Sequence, residues 1–414
     1  MNLSKKQFWI NFFAASIGNL FEHYDKALFA FLAPFLAPLF FKSSSNLTNL
    51  ILTYAMIPLG FFSKPLGALF FGKMGDERGR RHALYFTLIG MALTTILMGC
   101  LPTFNQVGWI APLLLAIGRL SQSFFASGEK TGGALLILEA CDEKKRSFYN
   151  GLYDCSTIFG ILLASLGVTW LSLKGTIHVQ WRLLYWIGGM TGFVGLLMRL
   201  FTKEVNLKPQ PKRPLLPLLW KNRHLLLLVT FTSGLSYANY YMVTALLNGF
   251  LPLVSAINPS EAMQANSLIL CLDFLLLPLG GLLALRISKE RLLVFFASAI
   301  CLLAIPLYVL LPTATLFIVI LIRLIFVILG VGFSVILTPY YQDIIPIENR
   351  YTLISFGSAV GSQLFGATAC SIGFFLFKQT GWAGAPAIYL MLTSVLAIGA
   401  LQLAPRLLPA KKML

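Results

Sequence analysis

The chain reads as long apolar runs separated by short polar breaks. Twelve runs occur, at roughly 8–40, 47–71, 83–101, 107–138, 148–172, 182–201, 224–252, 262–285, 292–311, 314–341, 352–377 and 383–405. At about 1.5 Å of rise per residue, most are long enough to cross a bilayer with some tilt. The pattern predicts an all-α membrane protein with twelve transmembrane helices. Between runs six and seven, residues 202–222 hold four prolines and a cluster of basic residues, the composition of a surface linker. It divides the chain into a bundle over 1–201, a basic linker over 202–222 and a second bundle over 223–414.

Composition sharpens this picture. With 57% hydrophobic and only 11% charged residues, a water-soluble domain could not cover its own surface, so the expected solvent is lipid. A net charge of +17 raises the question of nucleic acid, but the basic residues sit at the edges of apolar runs and form no patch. Counted over the connections, 23 Lys and Arg fall on one side and four on the other. The positive-inside rule then places both termini in the cytoplasm of a multi-pass protein, expected in a bacterial inner membrane. The first run is interrupted by Glu22, His23 and Asp25 and lacks a cleavage site, so it is read as a span and not a leader. Six cysteines and four histidines are scattered without metal-ligand spacing, and no nucleophile elbow or phosphate loop occurs. No cofactor, metal or enzymatic activity is expected.

The two halves repeat. An offset of 204 carries Arg119, Glu139 and Arg146 onto Arg323, Asp343 and Arg350, and Gly128 onto Gly332. The turn Gly72–Arg81 has a weaker echo at Gly281–Arg291, where the aspartate has become Leu285 and a glycine Ser288. Other polar groups do not repeat: Gln122, Glu129, Lys130 and Asp154 map onto Phe326, Phe333, Ser334 and Ser358. What the fold requires is expected to recur, whereas a site need not.

Those unrepeated groups are the candidate chemistry. Each ionised group facing lipid at mid-depth costs roughly 2.5–3.5 kcal/mol, so such groups must face protein or water. On run one Glu22, Asp25 and Lys26, with Gly18 and Asn19, share an arc of about 120° on a helical wheel. On run four Arg119, Gln122, Glu129 and Lys130 form a second such stripe. Together they suggest a small water-accessible chamber for a small molecule, with Asn19, Glu22, Asp25, Lys26, Arg119, Gln122, Glu129, Lys130 and Asp154 as the candidate binding set. Two close carboxylates do not both ionise cheaply, which suits Glu22 or Asp25 to carry a proton, with Glu129 as a further candidate. The plainer reading is that Glu22 and Asp25 neutralise Lys26 and a neighbouring helix. Glu129 is either an ion-pair partner of Arg119 or Lys130 or a substrate contact. Arg119 and Lys130 suit a carboxylate. Asp154 and Asp273 read as lone intramembrane acids, functional or paired. The aromatics Tyr24, Phe29, Tyr237, Tyr240 and Tyr241 are packing residues or the walls of an amine-binding box. At the charged turn, Asp76 is placed to accept from Arg80 and from Arg146 beside Glu139, with Arg81 adjacent. Gly72, Gly75 and Gly79 would allow the bend, giving a cytoplasmic latch.

The stretch GKMGDERGRR at 72–81 resembles the signature turn of the major facilitator superfamily, and Arg119-Leu-Ser-Gln122 is similar to its intramembrane Arg-x-x-Gln motif. More narrowly, GNLFEHYDKALFAFLAPFLAPLFF at 18–41, KPLGALFFGKMGD at 64–76, RSFYNG at 146–151, WRLLY at 181–185 and RYTLISFGSAVGSQLFG at 350–366 resemble the metabolite:proton symporters. That group includes proline/betaine, citrate, 2-oxoglutarate and shikimate carriers. The resemblance implies two pseudo-symmetric six-helix bundles and proton-coupled symport by alternating access, here expected of a monomer. Lys26, Lys64, Lys130 and Glu77 depart from the group's usual residues. They leave the substrate open between a zwitterion such as proline or betaine and an organic acid. Exchange, efflux or a non-transporting receptor on the same fold are the alternatives.

Overall fold

The computed structural model describes residues 4–42, 52–53, 56, 59–202, 214–284 and 287–407. Among them every regular element is a helix. By contacts the chain sorts into two compact units, Met1–Cys141 with Ser156–Lys212, and Asp142–Cys155 with Arg213–Leu414. The division thus differs from a first bundle of 1–201: residues 142–155 group with the second unit.

The first unit draws on α1 (Lys5–Phe40), α2 (Gly60–Arg78), α3 (Arg80–Gly99), α4 (Phe104–Val107), α5 (Ile110–Ala126), α6 (Glu129–Leu138), most of α7 (Arg146–Leu173) and α8 (Ile177–Leu200). The second holds the start of α7 together with α9 (Leu215–Lys221), α10 (Arg223–Tyr241), α11 (Leu247–Val254), α12 (Pro259–Leu283), α13 (Lys289–Val309), α14 (Leu316–Ile344), α15 (Arg350–Gly361), α16 (Ala367–Thr380) and α17 (Ala385–Leu407). Single π-helical turns at Met242–Leu246 and Ser362–Gly366 join α10 to α11 and α15 to α16. Each of the twelve expected spans holds helix. Among the described residues, nine helical stretches are long and apolar enough to cross a membrane.

Local chemistry sets the ends. Ser4 caps α1 by accepting from the Gln7 amide at 3.2 Å, and Asn258 with Glu261 forms a reciprocal capping box at α12, both bonds 2.9 Å. The expected Gly72–Arg81 turn is nearly all helix. Only Gly79 breaks it, at φ 103°, a conformation that side-chain-bearing residues avoid. Gly72 and Gly75 are instead buried positions inside α2, so the bend belongs to Gly79 alone. Run four, expected as one span from 107, is interrupted at Ser127–Gly128 between α5 and α6. Both residues keep right-handed helical torsions, so the span over Ile110–Leu138 continues through them. Helix α8 starts already at Ile177, which takes Arg182 out of the connection where its charge was counted. Its guanidinium donates to the Leu101 carbonyl at 2.9 Å. The expected linker contains α9, with Pro214 before its first residue and Pro217 in its first turn, where a missing N–H costs little. Residues 203–213 lie outside the described set.

Apolar surface faces outward, with Phe62, Trp109 and Leu302 more than 70% exposed, as suits side chains meeting lipid. Buried polar groups lie inside. In the first unit, Tyr24, Phe29, Leu32 and Phe40 of α1 pack with Trp181 and Tyr185 of α8, and the Tyr24 hydroxyl donates to the Leu184 carbonyl at 2.9 Å. Small residues bring the rods close: Gly188 and Gly192 of α8 lie against Tyr24 and Phe21. In the second unit, Gly151 of α7 lies on the Leu277 backbone and Gly281 of α12 on that of Ser147.

Candidate functional site

Helix α1 carries polar side chains deep into the first unit, and several other helices answer them. Asp25, 3% exposed, accepts through Oδ1 from the Thr95 hydroxyl of α3 at 2.8 Å and from the Gln122 amide of α5 at 2.7 Å. The carbonyl end of the same Gln122 side chain accepts from Arg119 Nη1 at 2.8 Å. Gln122 is thus a neutral spacer: its donor end meets the carboxylate and its acceptor end the guanidinium. Arg119 also stacks over the Phe29 ring, 4.2 Å from the centroid, and its Nε is buried without a hydrogen bond.

One turn back along α1, Glu22 is 2% exposed and pairs with Lys26. Its second oxygen, Oε2, is buried with no hydrogen-bond partner. Lys64 of α2 comes within electrostatic range of this pair and of Lys130 of α6. His23 joins them, its Nδ1 2.9 Å from the Asn19 carbonyl. Asn19 donates to Ser156 Oγ at 2.7 Å and Thr157 Oγ1 at 2.9 Å, both on α7. Glu22 and Asp25, expected as one coupled pair, differ in their direct partners: Glu22 has an ammonium, Asp25 a hydroxyl and an amide.

Glu129 does something else. It pairs with Arg199, not with Arg119 or Lys130, and also accepts from Thr87 Oγ1 at 2.8 Å. Arg199 in turn donates to the Leu84 carbonyl. Both members are at most 1% exposed, and Gly18 lies so close that a Cβ there would strike the pair. By position Arg199 ends an apolar run and falls among the 23 basic residues of the connections. A signal for its burial was present: Gly188, Gly192, Gly195 and Arg199 recur at helical spacing, so Arg199 continues the glycine face that packs inward.

The remaining candidate, Asp154, groups with the second unit. There it accepts from Asn150 at 3.2 Å, while Asn150 also donates to the Val335 carbonyl at 3.1 Å. Asp273 joins the same neighbourhood, since both acids act electrostatically on Cys155, whose thiol donates to the Phe274 carbonyl. Both acids, read as lone, thus lie within electrostatic range of that thiol. Arg323, the repeat of Arg119, is fully buried and donates to two amide oxygens, Asn266 at 3.1 Å and Asn248 at 2.9 Å. The scaffold arginine recurs; the carboxylate beside it does not.

Charged clusters also mark helix ends. In the first unit Arg80, 1% exposed, binds Asp76 and, at 3.3 Å, Glu139. Arg80, expected to bind Asp76, thus bridges both carboxylates. Arg81 turns away to the last carbonyls of α8, Arg199 at 3.2 Å and Leu200 at 2.8 Å. In the second unit the signs invert: Asp343 accepts from Arg146 at 3.2 Å and Lys289 at 2.6 Å. Lys289 stands in the echo of Arg80 and Asp343 in that of Glu139.

The family model described as Major Facilitator Superfamily matches residues 15–363. A relative from Staphylococcus aureus (strain MSSA476), bearing the name of a proline/betaine transporter, is 28% identical over 407 residues, covering 92% of this chain and 85% of its own length. The citrate-proton symporter of Klebsiella pneumoniae is 26% identical over 388 residues, with 91% and 87% covered. Among solved structures, the proton:xylose symporter XylE bound to 6-bromo-6-deoxy-D-glucose superposes with a TM-score of 0.75 at 13% identity, covering 98% of this chain and 97% of that one.

Proposed function

The chain belongs to the Major Facilitator Superfamily, and from that premise we propose that it is a secondary transporter of a small carboxylate-bearing metabolite, coupled to protons and working by alternating access. It is an integral multi-pass membrane protein; bacterial relatives support an inner-membrane location, and the Lys and Arg count supports cytoplasmic termini. The observation that carries the proposal is the buried line Asp25–Gln122–Arg119. A carboxylate and a guanidinium sealed in the interior are normally joined directly, because each is costly to bury alone. Here a neutral amide holds them apart, so Asp25 gains or loses a proton without a direct ion pair having to break, and Arg119 keeps a donor for an incoming carboxylate.

The cluster Asp76–Arg80–Glu139 is the proposed latch of the first unit. Its burial matters, since an exposed pair contributes only about 0–1 kcal/mol and could not bias a conformational equilibrium. Glu129 is assigned to the ion pair with Arg199 and through it to the fold, which leaves Asp25 as the preferred proton site.

Uptake of labelled proline, betaine, dicarboxylates and citrate into proteoliposomes tests the reading. Saturable accumulation of one compound, strengthened by an inwardly directed proton gradient, is the expected result. Accumulation driven by sodium alone, or equal flux with and without either gradient, would overturn proton coupling. Saturable binding without flux would favour a receptor.

A further inference from the structure

Arg323 of α14 is a fully buried cation whose partners carry no charge. Its guanidinium donates through Nη1 to Asn266 Oδ1 at 3.1 Å and through Nη2 to Asn248 Oδ1 at 2.9 Å. Its Nε is buried with no hydrogen-bond partner. Among the described residues no carboxylate pairs with it, and the titratable group within electrostatic range is the Tyr308 hydroxyl, which donates to the Met242 carbonyl at 3.3 Å. The two amides complete a one-sided set. Both give their oxygens to Arg323, Asn248 Nδ2 donates to the Thr244 carbonyl at 2.7 Å, and Asn266 Nδ2 donates to nothing among the described residues. The acceptors are used, while two donors, Arg323 Nε and Asn266 Nδ2, stay open.

Buried charges in folded proteins are paired, because neutral dipoles offset only part of the cost of leaving water. A water molecule would satisfy Nε but would leave the charge uncancelled. In the first unit the repeat-related Arg119 reaches Asp25 through Gln122; here the position of Gln122 is held by Phe326 and the relay is missing. A second feature marks the same place. Thr244 lies in the π-helical turn Met242–Leu246, and Asn248, one turn later, is the partly exposed member of the cluster. Such turns inside α-helices are frequent at functional sites.

From this donor set we infer that Arg323, Asn266 and Asn248 form, inside the second unit, a binding site for one small monovalent anion. Charge sets the class, since one cation without an acid calls for one negative charge and a divalent anion would leave an excess. Enclosure sets the size, so the group received is a halide or a single carboxylate. Two sources carry that chemistry, a free halide from the medium and the carboxylate of a small metabolite. Open N–H donors on a guanidinium and an amide suit either one. The site stands or falls apart from the transport reading, because its test needs no flux.

The test is thermal melting of the purified detergent-solubilised protein, with sodium sulfate exchanged stepwise for sodium chloride, bromide or acetate at constant ionic strength. A saturable rise of about 2 °C or more is expected, the scale for a ligand held well above its dissociation constant. A response to chloride and bromide alone identifies a free halide as the occupant. A response to acetate, whether or not the halides share it, identifies a carboxylate. Asn266→Asp places the missing negative charge on the atom that already lies 3.1 Å from Arg323. That variant should melt above the wild type in sulfate and should lose the response to all three anions. Arg323→Gln should lose the response as well, and where it does not fold Asn266→Asp still decides the question. Wild-type protein whose melting ignores all three anions overturns the inference, and so does either variant if it folds and keeps the response.

Discussion

Replacing Arg199 with methionine is expected to remove most of the folded protein. Glu129 would then remain with no exposed surface and without its cation, and breaking one side of a buried pair costs about 3–5 kcal/mol. That is a large share of the roughly 5–15 kcal/mol that holds a typical protein together. Thr87 alone cannot compensate, since a hydroxyl supplies one hydrogen bond to a carboxylate that had been paired. Glu129→Gln combined with Arg199→Met should restore much of the loss, because no charge is left stranded. Thermal melting in detergent, followed by size-exclusion chromatography, reads both variants. A single Arg199→Met variant melting with the wild type would show that the pair does not hold α6 and α8 in place.

Asp25→Asn is expected to lower gradient-driven uptake by on the order of 100-fold, the scale that a positioned proton-transfer group contributes, while leaving exchange of labelled for unlabelled substrate largely intact. Asparagine keeps the shape and can still accept from Thr95 and Gln122, so folding is not at stake. What disappears is the oxygen that takes the proton. Glu22→Gln should behave differently. It releases Lys26 from its partner, so apparent substrate affinity should change while the response to a pH gradient persists. Should Asp25→Asn accumulate substrate normally under a proton gradient and Glu22→Gln fail to, the two assignments must be exchanged.

The twelve runs and their order could be read directly, because lipid imposes one demand, a continuous apolar helix, that hydropathy reports well. Breaks inside a run were harder to see. Gly79 carries the whole bend that the glycines and charges of 72–81 suggested, since hydropathy cannot separate a helix continuing past charged residues from a turn. Convergence was legible only in part. Glu22 and Asp25 share one face of α1, yet diverge because their surroundings come from α3, α5 and α2, whose side chains no local pattern locates. Arg199 was misplaced for the opposite reason. Charges at the edge of an apolar run usually sit in water, and only the glycine spacing before it showed that this one turns inward.

The inverted signs at the two sets of helix ends have a genetic consequence. Loss of Asp343 would take a carboxylate from two cations, Arg146 and Lys289, so revertants elsewhere in the gene should arise by erasing positive charge there. Loss of Arg80 would take a cation from two carboxylates, and its revertants should erase Asp76 or Glu139. After the duplication the two copies thus came to need opposite repairs, and a selection for regained growth would record which half of the gene carried the lesion.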